Sequence, residues 1–552
     1  MAAYTRFILA IAFLSIFQYV QSIARLDPLV ETTVGLISGL RARDGNYSMF
    51  LGIPFATVDP DNPFGPSKPH ARFNKTYEAY NDTIFCPQRD TFLNIILGSL
   101  DCLKLNVYVP DSASSSNRLP ILVWIYGGGY YEGSAGRYIY GPKYLVRHEV
   151  ILVTINYRVG PYGFMCLDTP EVPGNQGLKD QLLALRWINT NIESFGGDKT
   201  KITLFGESAG ARSTDFHLHS TQEKLFNSVI LQSGSAVYPE YVVEADRTAP
   251  IKLAEKLDFE TDDFNEALSF LKTVDPGLVI EASLEIDRFF PCIEKDFEDV
   301  ESFILDYAVN QRVPKVTNVP ILLGVNNNEM LSTYGNKDEE YFKTLDEFNT
   351  RLKANFNLYD DDLAKLEQIV RHFYIADDRI NKTVKWEITD FASDIVYNHP
   401  AERSVARYLE NNASNIYFYI FSYKGRRNFY KRRYNVTIGG AAHSDELGYL
   451  FDVSFWHGVP SRRDQLIIDR MTTMWTNFVK YGNPTPEITK LLPIQWQPIV
   501  KDSPYYYLEI NLNMSTKKRP FNYRMAFWDL FYKMNWKNQK GYMDDTTFGV
   551  LS

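Results

Sequence analysis

The stretch Ile202-Thr-Leu-Phe-Gly-Glu-Ser-Ala-Gly210 decides the predicted fold. Its first four residues form an apolar, strand-like run, and a run compatible with a helix follows over 209–219. Between them, Gly206-Glu207-Ser208-Ala209-Gly210 matches the pattern G-x-S-x-G, whose glycines permit a strained strand-to-helix turn that lifts the serine oxygen above a sheet. Because both flanking segments are of the required type, Ser208 is predicted to be a nucleophile.

Apolar, β-rich segments recur on both sides of this turn. They cover residues 121–126, 150–157, 228–232, 319–325 and 416–423, in addition to 202–205. Leu185, Ile188, Ile192 and Phe195 recur at helical spacing between two of these segments, and residues 464–481 are typical of a long helix. The alternation predicts an α/β fold with a mostly parallel central sheet and helices on both faces.

The composition is that of a globular, acidic protein. The 552 residues are 45% hydrophobic and 23% charged, with a formal net charge of -9. A net negative charge does not favour binding to nucleic acid or to an anionic membrane. No repeat, low-complexity tract or Pro/Ser linker divides the mature chain. Residues 23–552 are therefore expected to form a single catalytic domain, with the less regular segment 243–315 capping the sheet.

The N-terminus has the residue order of a secretory signal peptide. Arg6 precedes an apolar run over 7–17, and polar Gln18 and the small residues Ser22 and Ala24 follow. A membrane anchor is the alternative, but this run is shorter than the ~20 residues needed to span a bilayer. We therefore expect residues 1–22 to be a signal peptide and the protein to be secreted and extracellular, without a membrane anchor. Seven N-x-S/T sequons suit that route, and they begin at Asn46, Asn74, Asn81, Asn381, Asn412, Asn435 and Asn513.

Four cysteines are too few for a disulfide scaffold, but an oxidising compartment permits bridges. Cys86 and Cys102 close a short loop and are the preferred pair. Cys166 and Cys292 lie in apolar stretches, where two buried free thiols are expected in preference to a second bridge.

A serine hydroxyl needs a base to take its proton and a carboxylate to orient that base, and the chain order for this kind of elbow is serine, acid, histidine. His443 is the preferred base because the small residues 439–442 form a loop just before it, after the predicted strand 416–423. The acid candidate is Glu329, in a loop beyond the predicted strand 319–325. Its main rivals, Asp445 and Glu446, are too close along the chain to reach easily behind the ring of His443. Other histidines downstream of the acid are expected to be structural, namely His372, His399 and His457.

Gly127-Gly128-Gly129 directly follows the predicted strand 121–126. A glycine-rich loop at that point exposes backbone N–H groups to a tetrahedral oxyanion. The alternative is a plain flexible turn. The position of the loop upstream of the serine elbow favours the catalytic interpretation.

Taken together, these motifs resemble the type-B carboxylesterase and cholinesterase family over nearly the whole mature chain, and secreted insect carboxylesterases in particular. Besides the elbow, the segments that carry the resemblance are Phe50-Leu-Gly-Ile-Pro-Phe-Ala56, Asp101-Cys-Leu-Lys-Leu-Asn106, Trp124-Ile-Tyr-Gly-Gly-Gly129, Asn175-Gln-Gly-Leu-Lys-Asp-Gln181, Phe195-Gly-Gly-Asp198 and Gly440-Ala-Ala-His443.

The resemblance implies an α/β-hydrolase fold and a serine carboxylesterase that forms an acyl-enzyme, with no cofactor and no metal. The implied substrates are small to medium hydrophobic esters, such as odorant, hormone, dietary or xenobiotic esters. The implied site comprises a triad of Ser208, Glu329 and His443, an oxyanion hole from the N–H groups of Gly128, Gly129 and Ala209, supporting residues Ser233 and Glu446 around His443, and a disulfide between Cys86 and Cys102.

Several departures from the family bear on the substrate. Leu100 replaces the usual glutamate before Asp-Cys-Leu, while Met330 replaces the usual glycine after the acid and Ser444 the common glycine or alanine after the histidine. No tryptophan lies between the first two cysteines, which argues against a choline ester held by cation–π contact. Juvenile hormone esterases often have glutamine before the nucleophile, where this chain has Glu207, so that substrate is a disfavoured alternative. A catalytically silent, neuroligin-like adhesion protein is the other alternative, although such proteins lack a complete triad.

Overall fold

A computed structural model describes residues 28–286, 289–456 and 458–542 of the chain. The expected signal peptide, the C-terminal tail and His457 lie outside the described residues. Over the part of the chain that is described, no helix is both long and apolar enough to cross a membrane.

An eleven-stranded sheet runs through the molecule, and its strands are labelled β1 to β11 in chain order. They are β1 Leu40–Arg41, β2 Tyr47–Pro54, β3 Lys104–Pro110, β4 Leu119–Ile125, β5 Ile151–Ile155, β6 Gly197–Glu207, β7 Ser228–Gln232, β8 Ile321–Asn326, β9 Ile416–Phe421, β10 Tyr506–Ile510 and β11 Ser515–Lys518. The spatial order is β11-β10-β9-β8-β7-β6-β4-β5-β3-β2-β1.

The centre of the sheet is parallel and its edges are antiparallel. Strand β4 pairs in parallel with both β5 and β6, and the parallel pairing continues from β6 to β10. Strands β1, β2, β3 and β11 pair antiparallel. All residues of β4, β5, β7, β8 and β9 are buried, as expected for strands covered on both faces. This is the predicted α/β-hydrolase architecture.

Helices cover the sheet, and those of eight residues or more are labelled α1 to α10. They are α1 Gln176–Asn191, α2 Ala209–His219, α3 Phe264–Leu271, α4 Pro276–Ser283, α5 Glu347–Asn355, α6 Asp360–Ile375, α7 Lys385–Ser393, α8 His399–Glu410, α9 Arg462–Tyr481 and α10 Asn522–Met534. Helix α2 packs on β6 and β7, and α9 packs on β4 and β6. The indole of Trp475 on α9 donates a hydrogen bond of 2.8 Å to Gln232 at the end of β7, which fixes this helix beside the carboxyl ends of the strands.

The segment 243–315 contributes no strand to the sheet within its described residues. Its helices α3 and α4 bury Leu268, Leu271 and Val279 in a separate apolar cluster that also contains Tyr162 and Phe64. Later residues of the segment, among them Phe290, Phe303 and Val313, belong instead to the core cluster of the sheet.

Two disulfides are present. Cys86 is bonded to Cys102, the pair preferred from the sequence. The expectation that Cys166 and Cys292 are free thiols is wrong, because these two residues are bonded to each other across 126 residues of sequence. Asn175 holds the second bridge in place by accepting a hydrogen bond from the backbone N–H of Cys292 and donating one to its carbonyl, each 2.8 Å long. The bridge therefore ties the segment 243–315 to the loop before α1.

Candidate active site

Ser208 lies in a sharp turn between β6 and α2. Its backbone angles, φ 57° and ψ −121°, lie in a strained region for a residue with a side chain. Two glycines make the turn possible, because a Cβ on Gly206 would lie 2.2 Å from the carbonyl oxygen of Gly210, and one on Gly210 would lie 2.0 Å from that of Ile125. The Ser208 N–H donates to the carbonyl of Gln232 at 2.8 Å, which holds the turn to the end of β7. The half-buried serine side chain lines a cavity at this edge of the sheet.

Glu329 lies three residues beyond the end of β8, and its carboxylate is completely buried. The Oε1 atom accepts hydrogen bonds from the Asn326 N–H at 2.5 Å and from the Ser233 hydroxyl at 2.6 Å. The Oε2 atom lies 2.7 Å from Nδ1 of His443, where an imidazole N–H donates to it. The two oxygens of Glu329 are therefore held on opposite sides, one by the sheet edge and one by the histidine.

His443 is held by the loop that carries Glu329. Its backbone N–H donates to the carbonyl of Glu329 at 2.9 Å. Just before it, the N–H groups of Gly440 and Ala441 donate to the side chains of Asn328 and Asn327, each at 2.8 Å. The asparagine run before Glu329 thus binds the small-residue loop before His443, so that Glu329 and His443 lie on two mutually bonded loops.

A second carboxylate reaches the other side of the same imidazole. The Oε1 atom of Glu207 lies 3.2 Å from Nε2 of His443, and it also accepts a hydrogen bond of 2.6 Å from the hydroxyl of Ser444. The Glu207 side chain is buried at the end of β6, directly before Ser208. His443 is therefore flanked by a carboxylate at each ring nitrogen.

This arrangement favours the charged imidazole. Burial by itself lowers the pKa of His443, but the negative charges of Glu207 and Glu329 outweigh it and raise the pKa to about 9. Burial raises the pKa of Glu207, while the His443 charge and the Ser444 hydroxyl oppose that rise. The site is thus built to stabilise an imidazolium next to the serine.

The predicted oxyanion loop follows β4. Gly128 and Gly129 have φ values of 111° and 62°, and a Cβ on Gly128 would lie 2.2 Å from the carbonyl oxygen of Glu132. Ala209 is the first residue of α2, so its N–H is among those at the helix start that have no partner within the helix. The glycine loop and Ser208 line the same cavity, which brings the three predicted N–H donors to one edge of the sheet.

The other predicted residues lie further from His443. Ser233 contacts Glu329 and not the histidine ring. Glu446 accepts hydrogen bonds from Gln232 at 2.7 Å and Asn326 at 2.5 Å, and burial together with the neighbouring Glu207 and Glu329 charges raises its pKa to about 8. The rival acid Asp445 faces away from the ring and accepts hydrogen bonds from the backbone N–H groups of Ala442 and Lys431.

The site cavity has a volume of about 350 Å³. Aromatic side chains form much of its wall, among them Phe85, Phe92, Tyr241, Tyr397 and Phe429. The departures Met330 and Ser444 also line it. Within the described ranges, no group of three or more His, Cys, Asp or Glu side chains is arranged to hold a metal ion.

Sequence reasoning missed two polar residues of the site. The elbow motif allows any residue at position 207, so the motif does not mark Glu207. The alternation of side chains at the end of β6 turns Glu207 toward His443. Asn326 supports both Glu329 and Glu446 through its backbone and its side chain. A polar residue at the end of an otherwise apolar strand was the available signal for Asn326.

Comparisons with known proteins identify the family to which the chain is similar. A family model described as "Carboxylesterase family" matches residues 26–528. Human bile salt-activated lipase is 30% identical over 559 residues, covering 93% of this chain and 70% of that protein. Esterase FE4 of Myzus persicae is 30% identical over 430 residues, covering 74% of each chain. The crystal structure of juvenile hormone esterase from Manduca sexta, which has OTFP covalently attached, matches with a TM-score of 0.79 and 26% identity, over 92% of this chain and 100% of that one.

Proposed function

The chain belongs to the carboxylesterase family and is a carboxylic ester hydrolase, and from this premise we propose that it acts through a Ser208, Glu329 and His443 triad by way of an acyl-enzyme. The observation that carries the proposal is the contact of 2.7 Å between Nδ1 of His443 and Oε2 of Glu329, beside the strained turn that presents Ser208. This contact fixes the tautomer whose Nε2 can take a proton from a serine hydroxyl.

The proposed reaction has two halves. In acylation, the Ser208 oxygen attacks the ester carbonyl carbon while Nε2 of His443 takes the serine proton. The oxyanion that forms accepts hydrogen bonds from the N–H groups of Gly128, Gly129 and Ala209. The carbon–oxygen bond to the alcohol then breaks, and His443 returns the proton to the leaving alcohol. In deacylation, the water oxygen attacks the acyl carbon while His443 takes a proton from the water. The bond between the acyl carbon and the Ser208 oxygen then breaks, His443 returns the proton to that oxygen, and the carboxylic acid is released.

Small to medium hydrophobic esters are the proposed substrates, in the range of odorant, hormone, dietary or xenobiotic esters. A cavity of about 350 Å³ with aromatic walls suits such molecules. A second cavity of about 770 Å³ lies beside the first, and Tyr241 and Arg351 line both. A panel of p-nitrophenyl and natural acetate esters of varied chain length tests the size limit.

Secretion is also proposed. Six of the seven sequon asparagines are exposed and Asn381 is half-buried, so glycans could be attached without unfolding the chain. Two disulfides suit an oxidising compartment. N-terminal sequencing and the glycosidase-sensitive mass of the protein recovered from culture medium test this proposal together.

Juvenile hormone ester hydrolysis is a second candidate, favoured by the likeness to the Manduca sexta enzyme. Glu207 stands against it, because glutamine is frequent before the nucleophile in esterases of that type. Hydrolysis of a juvenile hormone ester much faster than of short acetate esters would make it the first candidate.

The triad is tested through its nucleophile. Ser208→Ala removes the covalent route, so esterase activity should fall by on the order of 10³-fold or more while the protein stays folded. A radiolabelled organophosphate should label the wild type at Ser208 and leave the variant unlabelled. Near-normal turnover of the variant would contradict the triad, and an unlabelled wild type would favour an adhesion protein of the same fold.

A further inference from the structure

Ser444, directly after His443, has an unusual backbone conformation for a residue with a side chain. Its φ is 64°, in the left-handed region that favours glycine, and the residue is buried. Glycine or alanine is common at this position in the family that the chain resembles. The serine therefore keeps a less favourable backbone conformation and brings one hydroxyl group into the site.

That hydroxyl donates a hydrogen bond to the carboxylate of Glu207. The Ser444 Oγ donates to Oε1 of Glu207 at 2.6 Å, and the same Oε1 lies 3.2 Å from Nε2 of His443. The other carboxylate oxygen, Oε2, faces the glycine loop, since a Cβ on Gly127 would lie 2.9 Å from it. Ser444 thus fixes the particular oxygen that faces the reacting nitrogen.

The hydrogen bond also acts on the charge of Glu207. Burial of this side chain raises its pKa and so favours the neutral acid, whereas a donated hydrogen bond from Ser444 favours the carboxylate. Without the hydroxyl, the balance moves toward a neutral Glu207, which cannot stabilise a positive charge on His443. Hydrogen bonds to a charged group are stronger than those between neutral groups.

We propose that Ser444 is a positioning residue whose hydroxyl holds the Glu207 carboxylate beside Nε2 of His443, where that carboxylate stabilises the imidazolium formed during acylation. The proposal rests on the proposed triad mechanism and deepens it. A glycine or alanine at position 444 has no hydroxyl and therefore cannot hold the Glu207 carboxylate in this way.

Other titratable groups surround His443 and Glu207. Glu329 faces Nδ1 of His443. Glu446 lies near Glu207 and Glu329, and its pKa is raised to about 8, chiefly because of burial. The Tyr397 ring packs against His443 with 4.6 Å between the ring centroids and a tilt of 34° between the ring planes. Burial raises the pKa values of the tyrosines near the two residues well above the ordinary value, so that they stay neutral across the working range: Tyr140, Tyr157, Tyr397 and Tyr419.

The experiment compares Ser444→Ala and Ser444→Gly with the wild type. Both variants should lower kcat by about 10-fold with KM little changed, which is the loss that one hydrogen bond to a charged group supports. Both should move the rise of kcat/KM to lower pH, because His443 then keeps less of the Glu207 charge. Ser444→Gly relieves the backbone, so recovery of normal kcat and pH profile in the glycine variant would overturn the proposal in favour of strain. A Ser444→Ala variant with the kcat and pH profile of the wild type would also overturn the proposal.

A double-mutant cycle with Glu207→Gln gives the decisive readout. In the Glu207→Gln background, which lacks the Glu207 charge, Ser444→Ala should change kcat by less than about 2-fold. The double variant should have the same pH profile as Glu207→Gln alone. An equal loss in both backgrounds would mean that Ser444 acts through packing and would overturn the proposal. Ser404→Ala, which removes a buried hydroxyl bonded to Ser235 outside the site, controls for the loss of any buried serine.

Failure of the inference and failure of the mechanism are distinguishable. Organophosphate labelling of Ser208 in the wild type reports on the triad alone. If Ser208 is labelled and the cycle shows no coupling between positions 207 and 444, only the role of Ser444 is wrong. If Ser208 is not labelled, the proposed mechanism itself is wrong.

Discussion

At the scale of single residues, the role of Glu329 depends on its charge. The carboxylate is fully buried and meets Nδ1 of His443 at 2.7 Å. Glu329→Gln keeps the volume and removes the charge that stabilises an imidazolium, so kcat should fall by roughly 10²-fold to 10⁴-fold with KM little changed. Steady-state kinetics on a p-nitrophenyl ester measure both constants. A nearly fully active Glu329→Gln beside an inactive Asp445→Asn or Glu446→Gln would show that the acid is misassigned.

The pH dependence of activity follows from the same histidine. His443 must be neutral to act as base, so kcat/KM rises as the proton leaves. The charges of Glu207 and Glu329 raise the pKa of His443 to about 9, and the midpoint of the rise should therefore lie above 6.5, the ordinary histidine value. Glu207→Gln removes one of these two charges and should therefore move the midpoint to lower pH. A wild-type midpoint at or below 6.5 would contradict this expectation.

The residues of the site differ in how far the sequence could identify them. Ser208 and the glycines follow from motifs whose spacing is local. The partnership of Glu329 with His443 spans 114 residues and needed the family resemblance as well as the strand positions. The contact of Glu207 with Nε2 of His443 could not be predicted, because the two residues lie more than 200 positions apart in the sequence. Short motifs reveal backbone shape, whereas side-chain contacts between distant loops depend on the folded chain.

At the scale of elements, one buried ion pair joins helix α1 to the end of strand β5. Asp180 accepts two hydrogen bonds from the guanidinium of Arg158, at 2.7 and 2.8 Å, and both side chains are completely buried. Asp180→Ala would leave the arginine buried and uncompensated, so the free energy of unfolding should fall by about 3–5 kcal/mol. Chemical denaturation measures the change. Asp101→Ala, which removes an exposed partner of Lys104, is the control and should leave the stability nearly unchanged.

The elements of the sheet were predictable where they are fully buried and parallel. The predicted segments 121–126, 228–232 and 416–423 match β4, β7 and β9 to within two residues at each end. Strands β2 and β3 were not identified. Strand β3 contains the buried Asn106, whose side chain bonds to Gly52, Ala135 and Thr154. A polar residue within a buried strand breaks the apolar pattern, and only its distant partners explain its presence.

At the scale of the whole molecule, the Cys166–Cys292 bridge should contribute more to stability than Cys86–Cys102. It spans 126 residues against 16, and a longer closed loop loses more entropy in the unfolded chain. Replacing both Cys166 and Cys292 by serine should lower the free energy of unfolding by roughly 2–5 kcal/mol. Thermal denaturation of both double variants gives the comparison. Alkylation of Cys166 in the unreduced native protein would show instead that the bridge is absent.

The expectation of two free thiols failed for a reason that belongs to this scale. Each cysteine lies in an apolar stretch, and such stretches are typical of buried, unpaired cysteine. The pairing depends on how segment 243–315 returns to the loop before α1, where Asn175 fixes the backbone of Cys292. The sequence around each cysteine does not predict that these two parts of the chain come together.

The strand order of the sheet has a consequence for synthesis on the ribosome. From β6 to β11, the order in space is the order of translation, so each new strand can add to a neighbour that has already emerged. Chains are made from the N-terminus, and this half of the sheet can therefore grow outward as it is synthesised. The proposed nucleophile, Ser208, emerges directly after β6, but His443 follows only after β9. A nascent chain consequently lacks the proposed base until most of its 552 residues have been joined.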